Sequence, residues 1–424
     1  MEIISGIFRS VACVFIFDLI LFHRKEVSAL WAWILLLFFI PPLGVFLYLI
    51  TGQEVKKKRK EKEVVGVTTE DNIVGIFVGG EEKFSSLLED IIHAQKEILL
   101  QYYIIQKDEL LKIMEENLLK KASEGVKIKI LYDSLGSRTM KNRDWNKMKE
   151  GGIEIRKFRN RKKSHFFFYL NHRNHRKIVV IDEKISYMGG INIGKEYLGL
   201  DPKFGFWRDT HLKIEGGASK VLRQVFLKDW GEKIEEIRES TEKKALGSMV
   251  QIITSGPFSK ASHIRNTYLR LIATATRKIW IQTPYLIPDT SVLTALKLAL
   301  LAGKELKIMI PSVPDHLFVY DATLSYSREL AELGAEIYIY EEGFLHAKGM
   351  IIDELVCCYG SANMDIRSFH LNYEINAILY DLKTVEKLCE IYREDITKCR
   401  LLKMEENKKL QIKEQLCRLL SPLL

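Results

Sequence analysis

Hydrophobic positions cluster first at the start of the chain. From Leu30 to Ile50 the sequence reads LWAWILLLFFIPPLGVFLYLI, about 21 residues without a charge. At about 1.5 Å rise per residue that covers a hydrocarbon core about 30 Å thick. The pattern predicts a transmembrane helix bent at Pro41 and Pro42, each of which removes a backbone donor, with Trp31 and Trp33 near one interface. An earlier apolar run, Ile3 to Phe22, carries Arg9 and Asp18. Both lie off its centre, where a long side chain reaches polar surroundings at lower cost. The two runs together predict a helical hairpin in the membrane, with an interfacial first helix or a cleaved signal peptide as the alternatives.

Further along, the pattern changes to short apolar strands alternating with amphipathic helices, and it does so twice. IIHAQKEILLQYYI, from Ile91, leads through Ala94 into a strand containing Gln101; LIATATRKIWIQTPYLI, from Leu271, leads through Ala275 into a strand containing Gln282. Each continues through a helix and a glycine into a second strand, SEGVKIKILYD ending at Asp133 and LAGKELKIMIPSVPD ending at Asp315. Strand, helix, strand units of this kind build a layered α/β domain. The expected organisation is a membrane anchor over 1–52, a basic linker over 53–70, a first α/β domain over 71–245, a second over 246–403, and a helical tail over 404–424.

Length and charge narrow this picture. A chain of 424 residues exceeds one ordinary core, and its formal net charge of +9 favours an anionic partner, nucleic acid or an acidic membrane surface. VKKKRKEK follows the second apolar run, whereas the loop HRKE between the runs holds only Arg24 and Lys25, so the positive-inside rule puts the long C-terminal part in the cytoplasm. The six cysteines show no C-x-x-C pair and read as reduced thiols.

The chemistry lies in a doubled motif. His175, Lys177 and Asp182 stand in the spacing His-x-Lys-x4-Asp, followed by Gly-Gly-x-Asn ending at Asn192. His346, Lys348 and Asp353 repeat it, followed by Gly-Ser-x-Asn ending at Asn363. KIVVID and GMIID read as buried strands, so His175 and Lys177 share one face, as do His346 and Lys348. Asp182 and Asp353 fall on the other parity, and although they complete the motif they are expected to fix the turn that follows. If a pseudo-twofold axis relates the halves, two imidazoles, two ammonium groups and two carboxamides meet in one pocket. That set suits a phosphodiester: lysines and asparagines hold the nonbridging oxygens, one histidine attacks phosphorus, and the other serves the leaving and entering alcohols as acid and base. Two distinct jobs need two histidines. The lysines supply the charge a cation would otherwise supply, so no metal and no cofactor is expected.

The doubled motif resembles that of the phospholipase D superfamily. PPLGVFLYLITG, NHRNHRKIVVID, FWRDTHLKIEG, FLHAKGMIID, GSANMDIRSFHLNYEIN and the terminal RLLSPLL look like the bacterial cardiolipin synthases within it, from about Ser28 to Leu424. The resemblance implies two tandem phospholipase D-like α/β domains related by a pseudo-twofold axis, on the cytoplasmic side of the bacterial inner membrane. The implied reaction joins two phosphatidylglycerol molecules into cardiolipin and glycerol through a phosphohistidine. A phospholipase D-type hydrolase or another phosphatidyltransferase, such as one making phosphatidylserine, is the alternative. It also implies that an acidic residue after each motif orients the other half's histidine: Glu374 with His175, and Asp209 with His346. A nuclease is disfavoured, since no continuous basic stripe with stacking aromatics extends beyond residues 161–177, so nucleic acid is not expected as a partner. The aromatic FFFYL, Phe166 to Leu170, set among basic residues, reads either as a membrane-dipping loop or as a buried strand. The leucines of the terminal LCRLLSPLL either cap the core or rest on the bilayer.

Overall fold

The computed structural model describes residues 2–22, 27–49, 65–158, 172–232, 247–259, 261–316, 318–403 and 408–421. The Lys56–Lys62 run, the FFFYL segment, most of the seam near 240–249 and the last three residues lie outside them. The chain forms two compact units, the first N-terminal and the second holding both repeats.

In the N-terminal unit, α1 spans Glu2–Phe22, α2 Val27–Phe39 and α3 Pro41–Leu47. The single bent helix expected over Leu30–Ile50 is therefore two helices. Ile40 leaves helical geometry at φ −131° and ψ 65°, as the residue before a proline tends to, and Pro41 starts α3 with no N–H to satisfy. The chain then folds back. A Cβ at Gly44 would stand 2.8 Å from the backbone of Leu36 and Leu37, and Tyr48 reaches the rings of Trp33 at 5.3 Å and Phe15 at 4.9 Å. Ala12, Leu19, Leu37, Val45 and Tyr48 are buried between the helices, while Phe17, Phe38, Phe39 and Phe46 are exposed. Among the described residues no helix is long and apolar enough to cross a membrane.

The second unit is built on one 15-stranded sheet. From the middle outward the first repeat runs Val65–Phe77, His211–Glu215, Ile185–Gly189, Ile178–Ile181, Glu97–Tyr102, Lys127–Tyr132 and Glu154–Lys157. The second runs Ser248–Ser255, Glu374–Leu379, Val356–Gly360, Gly349–Ile352, Lys278–Gln282, Glu305–Pro311 and Glu336–Tyr340, with Cys399–Leu401 added outside. The order is the same in both, and the two join where Val65–Phe77 pairs antiparallel with Ser248–Ser255, in the register Thr68 opposite Gln251. An antiparallel junction between like strands is what a pseudo-twofold axis requires.

Both sheet faces are covered, so the motif strands IVVI and GMII are buried along their whole length. Ile178, Val180 and Ile351 point into a core shared by both halves under the helices Gly217–Trp230 and Leu382–Thr397. Val179 and Ile181 point into the first repeat's own core, and Met350 and Ile352 into the second's. Strand alternation thus carries each motif between two cores and fixes its register.

Two buried ion pairs hold the seam. Arg176, whose Nε also donates to the Glu374 carbonyl at 3.1 Å, pairs with Asp229 at 2.8 Å, and Arg208 of the first half pairs with Asp395 of the second at 2.6 Å. The repeated glutamines belong here: Gln101 donates to Asp229 at 2.7 Å and Gln282 to Asp395 at 2.8 Å. Removing one partner strands a charge in the interior, at a cost of about 3–5 kcal/mol. Asp395→Ala should therefore lower the denaturant midpoint of the detergent-solubilised protein sharply, whereas Glu109→Ala, which breaks the exposed pair with Lys112, should leave it near wild type. Equal midpoints for the two variants would contradict this account of the seam.

Candidate active site

Each motif histidine is held by the opposite half. The His175 N–H donates to the Tyr373 carbonyl at 2.9 Å, and Tyr373 donates back to Arg173 at 2.8 Å. The His346 N–H donates to the Arg208 carbonyl at 2.7 Å, where Phe344–Leu345 pairs in parallel with Trp207–Arg208. These bridges bring a carboxylate to each ring. His175 Nδ1 lies 2.9 and 3.1 Å from the two oxygens of Glu374, and His346 Nδ1 lies 2.6 Å from Asp209. A carboxylate at Nδ1 accepts the hydrogen bond of the Nδ1–H, which holds the neutral ring's proton there and leaves Nε2 free for the cavity.

The loops after the motifs make room for these carboxylates. At Gly190 a Cβ would fall 2.4 Å from the Asp209 oxygens, so a glycine is needed. The matching position is Ser361, whose hydroxyl donates to Glu374. Lys177 and Lys348 are buried and do not themselves line the cavity that the rings face, with Lys177 Nζ donating to the His175 carbonyl at 2.7 Å and Lys348 donating to the His346 carbonyl.

Burial dominates the electrostatics. It drives the Lys177 ammonium well below its usual value and brings Lys348 down to about 8, with Asp209 and Glu374 opposing the shift. Burial, reinforced by Lys348, pushes the His346 imidazole down to about 4 despite Asp209, so in the empty pocket this ring is neutral at pH 7. His175 is also lowered by burial, with Glu374 working against the shift. Burial would raise Glu374, but the charge and hydrogen bond of His175, then Lys177 and Ser361, outweigh it and keep the carboxylate ionised.

Both rings face one cavity of about 410 Å³, lined also by Asn192 and Asn363, by Tyr103 beside His175 (ring centroids 5.0 Å apart) and by Trp207 beside His346 (4.9 Å). The asparagines were expected to donate to a phosphate, and both amides already have partners within the protein. Asn192 accepts from the Ile104 N–H at 3.1 Å and donates to the Tyr197 hydroxyl at 3.0 Å, and Asn363 donates to Asp365 at 3.2 Å. Sequence reasoning also missed Asn372 and Trp207. Each stands two residues before its half's carboxylate, Glu374 or Asp209, and that shared offset was the signal available.

Asp182 and Asp353, grouped with the catalytic set by the motif, are not in the cavity. Each sits in a hairpin turn with its successor at positive φ: 53° and 58° for Asp182 and Glu183, 52° and 59° for Asp353 and Glu354. Asp182 accepts from the N–H groups of Gln95, Lys96 and Glu97 at 2.7–2.9 Å, and Asp353 from those of Thr276, Arg277 and Lys278 at 2.6–2.7 Å. Each carboxylate ties its hairpin to the start of the neighbouring strand. Among the described residues no group of three or more His, Cys, Asp or Glu side chains is placed to hold a metal ion.

Two imidazoles that face one cavity, each next to a buried lysine that donates to its carbonyl, can attack an electrophilic centre that carries anionic oxygens and relay a proton to and from its substituents. Comparison with known proteins gives the same direction. The family model described as "Cardiolipin synthase, PLD-like domain" matches residues 87–230 and 268–396, and "Phospholipase_D-nuclease N-terminal" matches 11–53. The chain is 40% identical to the major cardiolipin synthase of Bacillus subtilis over 95% of each chain, and 39% identical to a cardiolipin synthase of Listeria welshimeri over 100% of this chain and 98% of the other. In fold it is similar to phosphatidylserine synthase of Haemophilus influenzae, with a TM-score of 0.64 and 15% identity over 85% of this chain and 95% of the other.

Asp353 is held well below the usual carboxylate range, to about 2: burial opposes the shift, but the three backbone amides and the Thr276 hydroxyl outweigh it. A carboxyl depressed in the folded state stabilises it above the unfolded pKa of about 3.9 and loses that contribution as pH falls through about 2. Asp353→Ala leaves three backbone amides without their acceptor and should cost about 2–4 kcal/mol at pH 7, a deficit that shrinks on acidification. A denaturation series at pH 7 and pH 3 checks this; an unchanged pH 7 midpoint would remove the aspartate's structural role.

Proposed function

The chain belongs to the phospholipase D-like cardiolipin synthase family, and from that premise we propose that it makes cardiolipin and glycerol from two phosphatidylglycerol molecules. The observation that carries this reading is a pair of imidazoles in one cavity, each with Nδ1 on a carboxylate of the opposite half and Nε2 free.

His175 Nε2 attacks phosphorus of the first lipid. As the P–O bond to glycerol breaks, His346 gives its Nε2 proton to the departing oxygen, leaving a phosphatidyl–histidine on His175. The second lipid's hydroxyl passes its proton to His346 and attacks the same phosphorus, which breaks the P–N bond and releases cardiolipin. The lysine ammonium groups hold the nonbridging oxygens, and Glu374 and Asp209 keep the tautomers and orient the rings. One diester replaces another, so the exchange needs no nucleotide.

His346 must carry a proton when glycerol leaves. Lowered to about 4 in the empty pocket, it begins at pH 7 with its Nδ1 proton alone and none on Nε2. The substrate's negative charge supplies what is missing, since a phosphodiester monoanion beside the ring favours the cation.

The N-terminal unit holds the body at the cell membrane, with both repeats on the cytoplasmic side. The support is the outward-facing Phe17, Phe38, Phe39 and Phe46, together with the basic run Lys56–Lys62 in the sequence.

His175→Ala and His346→Ala should each abolish cardiolipin formation in phosphatidylglycerol vesicles, by at least about 10³-fold, with folding intact. With phosphate-labelled phosphatidyl-p-nitrophenol, whose leaving group needs no proton, the His346→Ala protein should trap an acid-labile adduct on His175. Label on His346 in a His175→Ala protein would exchange the two roles, and phosphatidic acid as the only wild-type product would make the enzyme a hydrolase.

Proton uptake provides a second test. Glycerophosphoglycerol stays a monoanion from pH 5 to 8, so its binding should draw in a proton wherever the pH lies between the free His346 value and the raised bound value. Calorimetry at pH 6.5 in two buffers of different ionisation enthalpy should show net uptake, reduced in His346→Ala. No uptake in the wild type would contradict the substrate-supplied proton.

A further inference from the structure

The cavity that holds His175 and His346 has a volume of about 410 Å³. A pocket of that size takes in headgroups and has no room for the four acyl chains of two lipids. Drawing a diacyl lipid wholly into water would expose every methylene of its chains. The chains therefore stay in the bilayer, and the mouth of the cavity has to meet the bilayer surface.

The rim carries apolar side chains from both halves. Among the described residues of the second unit two phenylalanines are exposed, Phe206 at 45% and Phe318 at 51%. One comes from each half, and each adjoins a cavity residue, Trp207 or Val319. The Phe206 carbonyl accepts from the Phe344 N–H at 2.9 Å, which fixes that backbone at the seam beside the His346 motif. Phe318 sits at φ 70°, a strained conformation for a bulky residue, and still presents its ring to solvent. Leu200, 66% exposed, lies on the loop between the cavity residues Tyr197 and Phe204.

The first half's two rim loops, 133–146 and 195–206, face outward with charge of one sign. The earlier loop belongs to the rim because a Cβ at Gly136 would stand 2.3 Å from the carbonyl oxygen of Tyr103, which lines the cavity beside His175. Arg138, Lys141, Arg143, Lys195 and Lys203 are exposed, and none forms an ion pair with another described residue. The acidic residues of the same loops are occupied. Asp133 is buried, Asp144 pairs with Lys107 at 2.8 Å, Glu196 lines the cavity, and Asp201 accepts from the Lys203 N–H at 2.9 Å.

We propose that Leu200, Phe206 and Phe318 enter the interface of an anionic bilayer, with the five cations of the rim loops on its headgroups, so that the cavity opens onto the lipid surface. This membrane contact belongs to the catalytic body and is separate from the N-terminal unit. It rests on the function proposed above for the substrate being a bilayer lipid. Exposed phenylalanine and leucine bury apolar area at the boundary between headgroups and chains, and Lys and Arg beside them are drawn to anionic headgroups. An anionic bilayer offers both kinds of contact in one plane. Headgroups then reach His175 and His346 while their chains remain among other chains.

The test uses the full chain in phosphatidylglycerol vesicles, in a Cys13→Ser background because Cys13 is the exposed thiol. Phe318→Cys and Leu355→Cys are each labelled with a fluorophore. Leu355 is exposed as well, but it lies on the hairpin turn of Asp353, at the other end of the strand Gly349–Ile352 from His346. Lipids brominated in their acyl chains should quench the label at 318 at least about 3-fold more than the label at 355. Equal quenching, or none at 318, overturns the proposal. Activity gives the second reading, as glycerol released from vesicles and from dihexanoyl phosphatidylglycerol kept monomeric in solution. The double variant Phe206→Ser, Phe318→Ser should lose at least about 10-fold on vesicles and stay within about 2-fold of wild type on the monomer. An equal loss on both substrates would make the two rings supports of the fold, and an unchanged vesicle rate would make them idle; either overturns the proposal. Quenching does not depend on the reaction, and glycerol is released whether the phosphatidyl group passes to a lipid or to water. A product of phosphatidic acid alone would therefore reject the synthase reading and leave both readings of the rim intact.

Discussion

The hydrogen bond from each pocket imidazole to a carboxylate of the opposite half is the contact around which the body is arranged. Glu374 reaches His175 at 2.9 Å and Asp209 reaches His346 at 2.6 Å, so neither repeat holds an oriented ring by itself. Such distances tolerate little displacement across the seam. The antiparallel pairing of Val65–Phe77 with Ser248–Ser255 and the buried arginine pairs of Arg176 and Arg208 fix the halves against each other. A continuous sheet with a shared core beneath it is stiff where the site needs stiffness.

That stiffness permits an unusual concentration of buried cations. Lys177 and Lys348 are taken almost fully out of water, each donating to the carbonyl of its own histidine. Alone they would shed their protons, and burial has lowered both. Glu374 and Asp209 offset part of that penalty, which gives these carboxylates a second task beside orienting the rings. A phosphodiester bound between the rings adds a negative charge that favours the ammonium groups and the His346 cation. Substrate binding and proton supply are thus parts of one electrostatic adjustment.

Much of this was legible in the sequence, for reasons that differ by residue. The repeat was legible because strand alternation and the glutamines Gln101 and Gln282 recur, and the structure gives both repeats the same strand order. Strand parity alone kept Asp182 and Asp353 off the face of the histidines. The fold-back of α3 on α2 was not legible, since two prolines in an apolar run are compatible with a bend or a reversal, and only the close approach at Gly44 decides between them. Nor could the motif reveal how Asn192 and Asn363 use their amides, because that depends on Tyr197 and Asp365, which the motif does not contain. The depressed His346 follows from burial, a property of the assembled halves and of no single residue.

Duplication within one chain does something that a symmetric dimer of identical halves could not. Equivalent positions carry different residues: Gly190 against Ser361, Trp207 against Asn372, Arg176 against Ala347, Arg208 against Tyr373. In a symmetric dimer both histidines would have the same neighbours and hence the same proton affinity, so only the bound substrate would assign attack to one and proton transfer to the other. Here Ser361 adds a hydrogen bond to Glu374 alone, and Trp207 packs at a tilt beside His346 alone. Both seam arginines come from the first repeat, so even the scaffold is unequal. The symmetry supplies two rings at a common phosphorus, and the departures from it allow the two rings to act in sequence.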